Sequence, residues 1–285
     1  MRMPSTTAIL LNGAAALVAV ASVVTMGRSI MGTDQQASCR ERYTNAVQWS
    51  LKRESGELLT PYDLQARLGS TDWGLTERVN VVKASNPQGA ALEVDLLSPG
   101  PRSGPSSGSG NQPTGAGFEW APQLIDGPRA GCASYGLYLD PKFPFASGGR
   151  LPGIFGGRTN EDREAPDAFS TRLAWNSEGR LDIHSHMPGL ASSRGITNEL
   201  NEATLPRGRW VAVDQEVVLN TPGRNDGVLR VWLDGKLSLE ARNVAYRTDK
   251  DSALRGILAE VTYTRQPAQA DANGRVSIAP FEFRW

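Results

Sequence analysis

Both histidines of the chain fall in one short run, Asp182-Ile183-His184-Ser185-His186. Read as a strand, the run puts Asp182, His184 and His186 on one face and Leu181, Ile183 and Met187 on the other. Upstream, Phe169-Ser170-Thr171-Arg172 alternates in the same way, with Ser170 and Arg172 facing away from Phe169, Thr171 and Leu173. Asn176-Ser177-Glu178-Gly179 between the two runs reads as a turn, so the strands are expected to pair. One sheet face then carries a serine, an arginine and both imidazoles. An imidazole with an unperturbed pKa near ~6.5 takes or gives a proton at neutral pH. A guanidinium grips a carboxylate through two parallel hydrogen bonds. Side chains at i and i+2 on a strand stand roughly 6.5–7 Å apart, enough to serve two atoms of one substrate. The plain alternative is a solvent-facing polar strand pair.

The elements that must hold these residues are short. Thirty glycines and eighteen prolines punctuate the 285 residues. Candidate strands cover 79–82, 91–97, 132–139, 168–175, 180–187, 210–219, 228–233, 236–243, 257–264 and 275–284. Asp234-Gly235 between two of them is a hairpin signal. Strands at this spacing predict an antiparallel sandwich. Residues 39–75 hold the helical stretches. Thr60 caps a helix that starts at Pro61, runs through Leu68 and stops at Gly69. Residues 40–53 are also expected to coil, with Tyr43, Val47 and Leu51 on one face. Residues 98–116 are rich in Gly, Pro and Ser and lack large apolar side chains, which predicts a disordered surface loop inserted within one domain.

Thirty basic and thirty acidic residues cancel, so nothing points to nucleic acid. Phosphate-binding glycine loops and a G-x-S-x-G elbow are absent. Cys39 and Cys132 are too far apart for a four-ligand zinc site, and neither a metal nor a cofactor is expected. Residues 1–30 read as a signal peptide or a membrane anchor. Met1-Arg2-Met3 supplies positive charge, residues 8–26 are uncharged and mostly apolar, and Ala19-Val20-Ala21 resembles a cleavage site. Either reading puts the protein outside the cytoplasm, as secreted, periplasmic or membrane-anchored. A Cys39–Cys132 disulfide persists there; two buried thiols are the alternative. Glu93-Val94-Asp95-Leu96-Leu97-Ser98 resembles the E-x-D-x-x-E strand of family 16 glycoside hydrolases. Ser98 replaces one of the two carboxylates that hydrolysis needs, so an ordinary strand with Glu93 and Asp95 facing solvent is expected.

The run Phe143-Pro144-Phe145-Ala146-Ser147-Gly148-Gly149-Arg150-Leu151-Pro152-Gly153-Ile154-Phe155-Gly156-Gly157 resembles the signature of polysaccharide lyase family 14 and glucuronan lyases. Trp210 to Val218, Leu219-Asn220-Thr221-Pro222-Gly223, Val231-Trp232-Leu233-Asp234-Gly235 and Val244-Ala245-Tyr246-Arg247 follow in the family's order. The resemblance covers about residues 75–265. It implies that residues 76–285 form an all-β, concanavalin A-like jelly-roll sandwich. It also implies β-elimination on an acidic polysaccharide, a polyuronate such as alginate or glucuronan. Ser170 and Arg172 match the family's S-x-R pair. Arg150 stands at the family lysine, and His184 and His186 stand at its tyrosine pair. These five residues are expected to converge in one groove. The family's F-F-G-G-like segment is replaced by Leu258-Ala259-Glu260-Val261-Thr262-Tyr263. Tyr138, Gln215 and Arg247 are further candidates for binding substrate. A non-catalytic carbohydrate-binding jelly roll of the cell envelope is the second reading.

Overall fold

The computed structural model describes residues 37–68, 72–96, 114–124, 127–158, 168–188, 196–264 and 274–285. The expected signal or anchor, and residues 98–113 of the expected loop, lie outside the described residues. Among the described residues, no helix is long and apolar enough to cross a membrane.

After a 3₁₀ turn at Cys39–Glu41, the chain runs through β1 (Ala46–Gln48), α1 (Pro61–Leu68), β2 (Asp72–Trp73), α2 (Leu75–Arg78), β3 (Val79–Val82) and β4 (Ala91–Leu96). It continues with β5 (Ala116–Trp120), β6 (Ala130–Leu139), β7 (Gly149–Gly157), β8 (Phe169–Trp175), β9 (Arg180–His186) and β10 (Ile196–Thr204). The last strands are β11 (Trp210–Val218), β12 (Gly227–Leu233), β13 (Lys236–Val244), β14 (Ala253–Tyr263), β15 (Gly274–Ile278) and β16 (Glu282–Arg284). One sheet has the order β13-β12-β11-β6-β15-β4-β3, with β16 joining β6 to β1. The second has the order β10-β9-β8-β7-β14-β5-β2. All described pairings are antiparallel. The two sheets stack as a jelly-roll sandwich.

Period-two alternation builds the core. Phe169, Leu173 and Trp175 of β8 and Leu181 and Ile183 of β9 turn inward. They join one apolar cluster with Tyr135, Leu137, Val213, Val217 and Val276 of the first sheet. Removing this surface from water is the main stabilising term. The Asp234-Gly235 hairpin forms as expected. Leu233 pairs with Lys236, and both loop residues take positive φ, 50° and 76°, as a type I′ turn requires.

The N-terminal segment departs from expectation. Residues 40–53 do not coil into a helix. β1 instead adds to β16, with Val47 opposite Phe283, and Trp49 sinks among Phe118, Phe281 and Trp120 at centroid distances of 5.0, 5.4 and 6.4 Å. Burying an indole and completing a sheet edge outweigh the helical propensity of a short segment. Only α1 is helical as expected. Its cap is reciprocal: the Thr60 hydroxyl accepts from the Asp63 amide, and the Asp63 carboxylate accepts from the Thr60 amide. The expected loop also ends early, since Thr114 and Ala116 are buried and Ala116 opens β5.

Cys39 and Cys132 are joined, with Cα atoms 5.7 Å apart, and pack under Trp232, Tyr43 and Leu237. The same strap places Arg42 on Glu216 through two bonds of 2.9 and 3.0 Å. The bond closes a loop of 93 residues, for which the entropic account gives about 4–5 kcal/mol. Unfolding in urea with and without reductant should show a loss of that order; an unchanged midpoint would remove the disulfide from the stability account.

Candidate active site

The register of β8 and β9 sets the site. Ser170 stands directly opposite His186, and Arg172 opposite His184. Residues opposite each other in an antiparallel pair point to the same side. Phe169, Leu173, Leu181 and Ile183 face the core, so the two pairs face outward. Ser170 and Arg172 are buried, whereas the imidazoles are half-exposed.

β7 supplies the third side. Its register against β8 shifts between Arg150 and Gly153, and Pro152 sits in that shift, where a missing N–H costs no ladder bond. Gly153 lies opposite Arg172. A Cβ there would collide with the Thr171 carbonyl and the Arg172 Cα, so glycine is what lets β7 lie this close. Arg150 reaches the same face as Arg172.

Between the two guanidiniums stands a carboxylate that the sequence did not single out as a site residue. Glu260 of β14 accepts a hydrogen bond from Arg172 Nη1, and its other oxygen is 3.5 Å from Arg150 Nη1. Glu260 is itself 9% exposed. Arg172 is therefore held at the floor, while the Arg150 side chain keeps 29% of its surface exposed. Arg150 is the freer of the two guanidiniums for an incoming carboxylate. His184 feels both. Burial first, then the charges of Arg150, Arg172 and His186, push its pKa down to about 4. Its imidazole is neutral at pH 7 and able to accept a proton.

Arg150, Ser170, Arg172, His184 and His186 thus share one face. The three further candidates lie elsewhere. Tyr138 is on the first sheet, its ring 5.5 Å from Trp210, on the side of the sandwich opposite to the histidines. Gln215 is fully buried between the sheets, where its amide donates to the Thr171 carbonyl and hydroxyl at 3.0 and 3.3 Å. Arg247 is buried, and its guanidinium staples loops through the carbonyls of Asn220, Lys250 and Ser252. With Tyr138 on the other sheet and Gln215 and Arg247 buried, none of these three is placed to meet a polymer on the histidine face. Glu93 and Asp95 pair with Arg275 at 3.4 and 3.1 Å, as an ordinary outward-facing strand would.

A cleft of about 390 Å³ opens on the first sheet between Trp49, Gly136, Trp210, Asp214 and Glu282. Its carboxylates are already taken up. Asp214 accepts from Ser38 and Ser134, and Glu282 from Arg40, Gln48 and Arg284. Both imidazoles of the chain are on the other sheet. Among the described residues, no cluster of three His, Cys, Asp or Glu could hold a metal ion.

The outer face of the second sheet thus carries two arginines, a serine and both imidazoles. The family model for polysaccharide lyase 14 matches residues 100–264, more than half of the chain, and the protein belongs to that family. No curated protein matches the sequence. Among solved structures, the PL-14 alginate lyase from Aplysia kurodai superposes with a TM-score of 0.65 at 20% identity, covering 85% of this chain and 98% of its own. An alginate lyase variant in complex with alginate trisaccharide gives 0.58 at 14% identity, covering 85% and 98%. The endo-β-1,4-glucuronan lyase from Trichoderma reesei gives 0.54 at 14%, covering 85% and 95%. These likenesses concern the fold.

Proposed function

We propose that the protein cleaves a polyuronate of alginate or glucuronan type by β-elimination on the outer face of the second sheet. The observation that carries this reading is the cross-strand pairing of Arg172 with His184 and of Ser170 with His186, beside Arg150. The uronate carboxylate docks on Arg150, which lowers the cost of the enolate-like charge that forms when C5 loses its proton. His184, neutral at pH 7, takes that proton. The C5–H electron pair becomes the C4=C5 double bond and the C4–O4 bond breaks. His186 hands a proton to the departing O4. Ser170, next to His186, orients the leaving group. Arg172, fixed by Glu260, holds the positive field around His184.

The direct test is the ultraviolet absorbance of unsaturated product after incubation with alginate and with glucuronan. Rising absorbance on either supports the reading. Binding without product from mildly acidic to mildly alkaline pH supports a carbohydrate-binding jelly roll instead. One observation favours that second reading: the charge of Arg172 is already met by Glu260.

The pH profile is a sharper check. A base with pKa about 4 is active above that pH and is lost as pH falls through it. The acid limb of kcat/KM should therefore lie near pH 4. A limb near ~6.5, the unperturbed histidine value, would remove His184 as the base. The disulfide supports a location outside the cytoplasm, with residues 8–26 as signal or anchor.

A further inference from the structure

We propose that Trp73, lying on Gly117, forms a stacking subsite for a pyranose ring of the bound polymer, remote from the histidines on the same sheet face; this rests on the polyuronate reading above. β2 extends the second sheet beyond β14 and β5. Trp73 stands opposite Gly117, and Gly117 stands opposite Glu260. Ala116 and Phe118 on either side of Gly117 face the core, so Gly117 and Trp73 share the outward face with Glu260.

The indole fills the space that a side chain at position 117 would need. A Cβ on Gly117 would lie 2.5 Å from Trp73 Nε1, 2.7 Å from Cε2 and 2.9 Å from Cζ2. The indole therefore lies over bare backbone, and Trp73 remains half-exposed. Trp49, Trp120 and Trp175, by contrast, are buried among other rings. Trp73 belongs to none of the core clusters. A large flat apolar surface left outward beside a row of charged groups is the way a ligand face is built. A pyranose ring offers a matching plane of C–H bonds, and its hydroxyls and carboxylate project from the rim.

The distance also fits a polymer. From Arg172 on β8 to Trp73 on β2 is four strand steps, roughly 19 Å at about 4.8 Å per step. A chain crossing the strands would meet the arginines and the indole with different sugar units. Trp73 lies ahead of residues 100–264, which match the family model.

The test compares wild type, Trp73→Ala and Trp73→Phe on uronate trimers and hexamers. A parallel calorimetric titration of both oligomers into His184→Ala, with and without Trp73→Ala, reads binding apart from turnover. Trp73→Ala should raise KM for the hexamer about tenfold more than for the trimer, the size of one aromatic contact, and Trp73→Phe should recover most of it. The same difference should appear in the titration. Equal losses for trimer and hexamer, or none, would overturn the subsite even if wild type releases product. If no variant releases product, the elimination reading fails alone, and the titration still decides the subsite. If neither oligomer binds, both fail.

Discussion

His184→Ala should lower kcat on a responsive polyuronate by about 10²–10⁴-fold, the usual contribution of one general base. Stability should change little, because the imidazole faces away from the core cluster and stands near two guanidiniums that disfavour its protonated form. Steady-state kinetics beside a urea unfolding curve separate the two effects. The hydroxyl of Thr171 and the side chain of Ile183, on the inward face of the same strands, give the contrast: they shape the core and should move stability first. If kcat survives in His184→Ala and His186→Ala alike, elimination runs on other groups and the correspondence of the two histidines to the family's tyrosine pair is lost.

Glu260→Ala should destabilise by about 3–5 kcal/mol, the cost of leaving a buried charge without its partner. Arg172 is 7% exposed, and Arg150 lies on the same carboxylate. Without Glu260 the two guanidiniums face each other across one floor. Urea unfolding checks the loss. Arg172→Met in the Glu260→Ala background should recover much of it, because a pair replaced by apolar groups no longer strands a charge. A Glu260→Ala protein as stable as wild type would mean that solvent reaches Arg172 and meets its charge.

The sheets were legible where side chains alternate and turns carry their own chemistry. β8, β9, β11 and β12 begin or end within two residues of the expected limits, and Asp234-Gly235 closes its hairpin. β7 was recognisable only as a family signature. Its glycines and Pro152 argue against a strand, and what makes them tolerable is the register shift and the close approach of β8, both properties of neighbours. β5 was hidden at the end of the low-complexity run. Gln215 shows a signal passed over. It sits between Val213 and Val217, both core residues, and that alternation alone assigns it to the inward face. Glu260 offered no such clue. Its bond to Arg172 spans 88 residues, and nothing local to Leu258–Tyr263 says which cation it meets.

The inward polar contacts around Thr171 bear on how this protein avoids assembling incorrectly. A strand slipped by one residue exchanges its two faces. For β8 that would turn Ser170 and Arg172 into the core and Phe169 and Leu173 onto the outer face. Hydrophobic pattern penalises the slip, but Thr171 adds a key. Its hydroxyl accepts from Ser185, and it is bonded by Gln215 reaching from the other sheet. Only one alignment of three strands satisfies all three groups at once. Their loss would leave a chain that still collapses, with its active face populated by several alignments and only a fraction of molecules competent.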